Sequence, residues 1–172
     1  MSVPNYTNTM RKFFLISFSL IMLLCRMAQA EVYISKEEAL KNIFSSFDKD
    51  TIETMVFNGQ PIEVSTVTKE GKVIGWAVAL DEMGKIKPVT FLVGIDVQGN
   101  VLDVYVLEYR DMFGSEIKRK SFLRQFKGKA LQDPIKIGKD IDAVTQATIS
   151  SRAASSAVKK SLQIVEEFRK KQ

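Results

Sequence analysis

The sequence of 172 residues contains no histidine and a single cysteine, Cys25. Without an imidazole, nucleophile systems of the Ser-His-Asp and Cys-His kind are excluded. Zinc sites, histidine-ligated haem and cysteine-bound iron–sulfur clusters lack their ligands, and one cysteine cannot form a disulfide within the chain. We therefore predict no catalytic residue and no metal site.

Residues 1–30 are predicted to be a secretory signal peptide. Two basic residues precede a mostly apolar run at residues 13–24, and an A-x-A cleavage site ends at Ala30. A helix of that run would span roughly 18 Å, short of the roughly 30 Å hydrocarbon core. We expect a mature domain of residues 31–172 in the periplasm or outside the cell. An uncleaved membrane anchor is the alternative.

The charge balance gives little support to a nucleic-acid partner, and we predict none. The chain has 25 basic and 20 acidic residues, a net charge of +5. The predicted signal peptide removes three basic residues and no acidic one, which leaves a mature net charge of +2. A basic cluster over residues 118–129 could meet a phosphate or an acidic redox partner, but the favoured interpretation is a solvated helix face.

The middle of the mature chain has the composition of β-strands. Runs rich in Val, Ile, Thr and aromatics alternate with short, mostly glycine-containing turns, which favours antiparallel neighbours. The predicted strands cover residues 62–68, 73–80, 89–97 and 101–107. In the last of them Leu102, Val104 and Val106 alternate with the other residues and should share one apolar face.

Three helices are predicted around these strands. Ser35 and Glu38 have capping-box spacing at the start of a short helix that ends near Phe47. Residues 117–126 and 149–170 also have helical periodicity, and the last segment carries a broad apolar arc. The predicted fold is therefore α+β, a single domain in which an antiparallel β-meander packs with flanking helices.

The string DAVTQAT at residues 142–148 resembles the flavin-attachment motif D-x-x-(S/T)-G-A-T of FMN-binding domains. That family includes covalent-FMN subunits of sodium-pumping NADH:quinone oxidoreductase and of Rnf-type electron-transport complexes. Asp142, Thr145, Ala147 and Thr148 match the motif, whereas Gln146 replaces the usual glycine. The segment FLRQFKGK at residues 122–129 is similar to the family's F-x-x-Q-F-x-G-K, and the whole resemblance covers about residues 72–165.

The resemblance implies that FMN is bound through a phosphoester on Thr148. Composition is compatible with this link, because the usual attachment of a flavin ring to histidine or cysteine is not available. The phosphate would lie at the start of a helix, where N–H groups and the helix dipole favour an anion. Ala147 is expected to leave space beside the hydroxyl. The neighbouring residues expected to contact the cofactor are Ile149, Ser150 and Ser151.

Many members of the family carry an E-T-P-G loop near the flavin. The corresponding stretch here is DMFG at residues 111–114, so Asp111, Phe113 and Gly114 become candidate cofactor-binding residues. The resemblance implies an exported electron-transfer flavoprotein, either soluble or docked on a membrane, with little catalysis of its own. Its expected partners are a flavin transferase and a membrane oxidoreductase or another redox carrier. The alternative is a non-redox exported binding module in which Thr148 only caps a helix.

Overall fold

The computed structural model describes residues 31–171, so the predicted signal peptide and Cys25 lie outside the described residues. Its strands form one antiparallel sheet in the order β1-β6-β5-β4-β3-β2. The strands are β1 (Glu31–Val32), β2 (Lys49–Phe57), β3 (Gln60–Lys69), β4 (Lys72–Met83), β5 (Pro88–Asp96) and β6 (Val101–Tyr109). Strands β2 to β6 form a meander, which confirms the predicted topology, and β1 closes the far edge beside β6.

Within these residues three α-helices surround the sheet: α1 (Lys36–Phe44), α2 (Lys120–Leu123) and α3 (Thr148–Arg169). Helix α3 packs on one face of the sheet and belongs to the larger apolar cluster. Helix α1 packs on the opposite face, over β5 and β6, in a second cluster. The prediction of an α+β domain with flanking helices is confirmed, because each face of the sheet buries its apolar side chains under a helix.

The start of α1 follows the sequence prediction. Ser35 is the N-cap, and its hydroxyl accepts a hydrogen bond from the Glu38 N–H at 3.1 Å. The helix ends at Phe44 rather than near Phe47. Its close approach to the sheet depends on Gly94, where a Cβ would lie 2.3 Å from a methyl group of Ile43.

The segment predicted as one helix over residues 117–126 is instead broken. A 3-10 helix at Ser115–Lys118 is followed by α2 and a second 3-10 helix at Arg124–Phe126. The break falls at Arg119, whose backbone is extended at φ −63° and ψ 131°. The predicted buried positions are nevertheless correct: Ile117, Phe122, Leu123 and Phe126 all lie in the core.

Strand β2 was not predicted from the sequence. It pairs with β3 from Lys49 opposite Thr68 to Phe57 opposite Gln60, but Met55 is its only buried residue. An edge strand with so little burial shows no clear apolar alternation, which is the signal that sequence reasoning relies on.

Candidate functional site

Thr148, at the end of the DAVTQAT string, is the first residue of α3, and it is exposed. Ala147 occupies the N-cap position, and no side chain caps the first turn. The helix therefore lacks the capping hydroxyl that the alternative interpretation assigned to Thr148. The Ser151 N–H bonds to the Ala147 carbonyl at 2.8 Å, and the N–H groups that precede it have no intrahelical acceptor.

This helix start fits a phosphate. The helix is 22 residues long, so its free N–H groups and dipole favour an anion at the position of the Thr148 hydroxyl. In the absence of a capping side chain, nothing in the first turn competes with a ligand for those donors. An exposed hydroxyl at this position is also open to a modifying enzyme.

Gln146 stands where the family motif has glycine, and it adopts a left-handed backbone with φ +64°. Glycine adopts this conformation without steric cost, whereas a residue with a Cβ is disfavoured there. The turn is closed by a hydrogen bond from the Ala147 N–H to the Val144 carbonyl at 3.0 Å. Gln146 thus adopts this turn at some energetic cost.

Ser151 holds this turn against α3. Its hydroxyl accepts a hydrogen bond from the Val144 N–H at 3.1 Å and donates to the Ala147 carbonyl at 2.9 Å. The side chain is completely buried. Ser151 therefore positions this turn, and its hydroxyl is engaged by two backbone groups.

Ala147 is also buried, with its methyl group in the larger apolar cluster. Its small side chain fits the core beneath the turn, and the space that it leaves beside the Thr148 hydroxyl stays a prediction. By contrast, Asp142, Thr145, Gln146 and Thr148 are all exposed. One face of the motif is thus packed against the protein, and the other is presented to solvent.

The loop at residues 111–114 lies directly against the start of α3, as the resemblance implied. Ser150 donates from its hydroxyl to the Phe113 carbonyl at 3.3 Å, and its oxygen lies 3.1 Å from the Tyr109 hydroxyl. Tyr109 also donates to the same Phe113 carbonyl. The buried Ser150 hydroxyl therefore holds the loop against α3.

Gly114 makes this close approach possible. Its φ is +87°, and a Cβ at this position would lie 2.4 Å from the Ser150 Oγ. Both the backbone conformation and the contact therefore require glycine. Sequence reasoning identified Gly114 from the resemblance, and the structure gives the residue a packing role beside the start of α3.

Asp111 fastens the same loop to the turn between β4 and β5. Its carboxylate accepts hydrogen bonds from the N–H groups of Ile86 at 2.8 Å, Lys87 at 3.3 Å and Met112 at 2.7 Å. Burial alone would raise the pKa of the Asp111 carboxyl, but these backbone donors, together with the Phe113 N–H, outweigh it and lower the pKa below its ordinary value. Asp111 therefore acts by holding the loop in place.

Exposed apolar side chains lie around the loop at residues 111–114 and the start of α3. Met112 is 74% exposed, Phe113 48% and Ile149 46%. Ile86, in the turn fastened by Asp111, is 54% exposed, and the Lys85 ammonium lies 4.5 Å from the centre of the Phe113 ring. Such a surface suits the face of an aromatic ring. Ile86, Lys85 and Met112 were not singled out from the sequence. For Ile86, an apolar residue in an otherwise polar turn was the available signal.

The chain was compared with known proteins. Residues 84–163 match the model of the family described as FMN-binding domain. This segment belongs to the FMN-binding domain family. The match confirms the predicted family and its cofactor, FMN. It includes the loop at residues 111–114 and the DAVTQAT string, whereas strands β1 to β4 precede it.

Two relatives extend the comparison. The chain is 30% identical over 108 residues to one subunit of a proton-translocating ferredoxin:NAD(+) oxidoreductase complex from Clostridium ljungdahlii. The match covers 58% of this chain and 58% of the relative, so the chain spans less than two thirds of that protein. The structure resembles one subunit of the Na(+)-translocating NADH-quinone reductase from Parabacteroides distasonis, with a TM-score of 0.52 and 18% identity.

The structural match covers 76% of this chain and 82% of the Parabacteroides protein, and it supports the same FMN-binding fold. Both relatives are named as subunits of redox complexes. In the part of this chain that the structure describes, no helix is long and apolar enough to cross a membrane.

Proposed function

We propose that this FMN-binding domain carries FMN on the Thr148 hydroxyl through a phosphoester and serves as an exported electron-transfer subunit. The observation that carries the proposal is an exposed threonine at an uncapped helix start, next to a loop rich in exposed apolar side chains. The free N–H groups of the first turn would donate hydrogen bonds to the phosphate. Phe113, Met112 and Ile149 offer apolar surface for the ring.

FMN supplies the redox chemistry, and the protein supplies binding, orientation and electrostatics. In this chain, Ser151 fixes the attachment turn, and Ser150 and Asp111 fix the loop beside it. The exposed face formed by Asp142, Thr145 and Gln146 is available for recognition by a flavin transferase. The partner in electron transfer would be a membrane oxidoreductase or another carrier, as the complexes named for both relatives suggest.

The mass of the intact protein tests the attachment. Protein produced with a flavin transferase should exceed its unmodified mass by one FMN less a water, since a phosphoester forms with loss of water. Thr148→Val should abolish this gain. Thr145→Val removes an exposed hydroxyl three residues away and is the matched control, expected to load more slowly at the same position. Flavin on any other peptide, or full loading of Thr148→Val, would refute the assignment.

Redox titration of the loaded protein tests the carrier role. Dithionite should bleach the flavin reversibly, and reoxidation by a one-electron acceptor should restore the spectrum. The isolated protein should not turn over small organic substrates quickly. Rapid turnover would favour a flavoenzyme, and a flavin-free protein from a host that contains a flavin transferase would favour the non-redox binding module.

Export is part of the same proposal. N-terminal sequencing of the secreted form should begin at Glu31, as the A-x-A site predicts. If protein extracted from membranes had an intact N-terminus, the interpretation as a cleaved signal peptide would be wrong. The uncleaved membrane anchor would then be the correct interpretation.

A further inference from the structure

A groove runs along the free edge of the sheet beside β6. Strand β1 pairs with β6 only at Glu108 and Tyr109, and β1 is the last strand on this side of the sheet. Beside the earlier residues of β6 lies a cavity of about 500 Å³. It is lined by the consecutive residues 103–106 of β6, by residues 33–34 after β1 and by side chains of the segment 118–127 around α2.

Both ends of this edge are closed by backbone hydrogen bonds, whereas the middle is open. The Tyr33 N–H donates to the Leu107 carbonyl at 3.0 Å, and the N–H and carbonyl of Val101 both bond to the backbone of residues 128–129 at 2.8 Å. In the described part of the chain, no backbone group from another segment bonds to the outer edge at residues 103–106. An edge with unpaired backbone groups is a template for another extended chain.

The lining shows that the groove follows the edge rather than one face of the sheet. Val104 and Val106 belong to the apolar cluster under α3, whereas Tyr105 packs with the cluster under α1. The two lining residues after β1 divide in the same way, Tyr33 with the first cluster and Ile34 with the second. A ligand in the groove therefore meets β6 from the side, where a strand would add to the sheet.

One wall of the groove is basic. Within residues 31–171 its basic side chains are exposed and form no ion pair with an acidic side chain; they are Lys118, Lys120, Arg124 and Lys127. The Lys118 ammonium lies 3.8 Å from the centre of the Tyr33 ring. Asp103 is the one carboxylate in the lining, so four positive charges against one negative charge give +3. Such a groove favours an acidic ligand.

The groove is separate from the candidate flavin site. None of its lining residues belongs to the loop at residues 111–114 or to the DAVTQAT string. The two places are connected by one aromatic contact, because the ring centres of Tyr33 and Tyr109 are 6.4 Å apart. The Tyr109 hydroxyl in turn donates to the Phe113 carbonyl of the loop. A ligand in the groove therefore borders the loop without using the groups that surround Thr148.

We propose that this groove binds an extended acidic segment of a partner protein, which adds to the sheet as a strand beside β6. The Val104 N–H now donates to the Asp103 carboxylate at 2.8 Å, and a backbone carbonyl of the segment replaces that carboxylate. Carboxylates of the segment pair with Arg124 and Lys127 on the wall. Residues 1–30 of this chain do not suit the groove, because they carry three basic residues and no acidic one.

A short acidic peptide tests the proposal on the full chain. The probe is a fluorescent peptide of alternating glutamate and valine, and its anisotropy measures binding. A second peptide has lysine in place of every glutamate. A third keeps the glutamates but carries methyl groups on its backbone nitrogens, so it has the same charge and cannot donate the hydrogen bonds of a β-ladder. The three peptides separate recognition of charge from addition of a strand.

The variants are Arg124→Glu and, as the matched control, Arg119→Glu. Arg119 is exposed and belongs to the same basic cluster, but it does not line the groove. Wild type and Arg119→Glu should bind the acidic peptide equally, and Arg124→Glu should bind it about tenfold more weakly. Asp103→Ala should bind it more tightly, because the change removes the only carboxylate of the lining and frees the Val104 N–H.

Wild type should bind the lysine peptide and the methylated peptide at least about tenfold more weakly than the acidic one. Amide hydrogen exchange at residues 103–106 should slow when the acidic peptide binds, because their outward N–H groups become paired. Thr148→Val should bind the acidic peptide as wild type does. A failure of flavin attachment and a failure of the groove are therefore distinguishable.

Several results would overturn the proposal. They are no binding of the acidic peptide, equal binding of its methylated form, unchanged exchange at residues 103–106, or equal losses in Arg119→Glu and Arg124→Glu. Tighter binding of a single-stranded oligonucleotide would identify a nucleic-acid surface instead. Self-association of the full chain that Arg124→Glu abolishes would identify a second copy as the occupant. Loss of peptide binding in Thr148→Val would make the groove part of the flavin site.

Discussion

The side-chain amide of Gln125 holds the backbone of Asp142 at two points. Its Oε1 accepts a hydrogen bond from the Asp142 N–H at 2.9 Å, and its Nε2 donates to the Asp142 carbonyl at 3.3 Å. The two residues are 17 positions apart, in the FLRQFKGK segment and the DAVTQAT string. The two sequence motifs are therefore parts of one structural unit, joined at the first residue of the DAVTQAT string.

Gln125→Ala should remove the hydrogen bonds that hold the start of the DAVTQAT string in place. We expect a loss of about 1 kcal/mol in the free energy of unfolding for each hydrogen bond removed, measured by urea titration, and slower loading of FMN by a flavin transferase. Gln163→Ala, at an exposed position of α3, is the control. Unchanged stability and loading in Gln125→Ala would mean that the bridge does not position the string.

Gln146→Gly should stabilise the protein. The residue has φ +64°. A residue with a Cβ incurs a steric cost of about 1 kcal/mol in this left-handed conformation, and glycine avoids it. The same change at Gln132, an exposed residue without a positive φ, should destabilise or have no effect, because glycine only adds freedom to the unfolded chain there. A lower melting temperature for Gln146→Gly than for Gln132→Gly would contradict the strain argument.

Gly114→Ala should destabilise the protein more than Gly59→Ala. Both glycines have a positive φ, +87° and +79°, so an alanine strains the backbone at each. A Cβ at Gly59 meets nothing within 4 Å, whereas one at Gly114 would meet the Ser150 hydroxyl. The difference between the two variants in denaturant unfolding therefore measures the contact between the loop and α3. Equal losses would show that the loop moves away freely.

Asp111 should contribute to acid sensitivity. Because its folded pKa lies below the ordinary value, its stabilisation is present above the unfolded pKa of about 3.9 and is lost as the pH falls through the folded pKa. Asp111→Asn should lower stability at pH 7 and flatten the dependence of unfolding free energy on pH below about 4. The test is urea unfolding at a series of pH values between pH 2.5 and pH 7, spaced about one half unit apart. If Asp111→Asn left the dependence of the unfolding free energy on pH unchanged below about 4, that dependence would come from other carboxylates, such as Asp140.

Phe113→Ala should change the reduction potential of the bound flavin more than it changes folding. The ring is half exposed, so its removal costs little burial, but it belongs to the apolar surface beside Thr148. Redox titration and denaturant unfolding of the same sample measure the two effects. Ile52→Ala, an exposed apolar residue on β2, should change neither. A large stability loss without a shift in potential would place the ring in a purely structural role.

The sequence by itself determined the elements whose residues carry a regular local pattern. Strands β3 to β6, the Ser35 cap and α3 all follow from alternation, helical periodicity and turn residues, which are local properties of the chain. The DAVTQAT string and the FLRQFKGK segment predicted the family, and the family match confirmed it. The identity of the attachment residue stays a prediction that rests on the exposed Thr148.

Tertiary structure decided what local patterns do not encode. A shift in pairing between β5 and β6 places Leu102 with the cluster under α1, while Val104 and Val106 join the cluster under α3, so the predicted shared face is wrong for Leu102. A bulge of this kind interrupts the period of two that the prediction assumes. Strand β2 forms because β3 offers it a complete hydrogen-bonding edge, although little of it is buried.

The roles of the polar residues around Thr148 were decided in the same way. The resemblance made Ser150, Ser151 and Asp111 candidate cofactor-binding residues. In the folded chain each of them binds backbone groups of the loop or of the turn before α3. Whether a hydroxyl or carboxylate is free for a ligand depends on which backbone groups are buried beside it. Buried N–H and carbonyl groups must be paired, and only the folded chain determines which side chains pair with them.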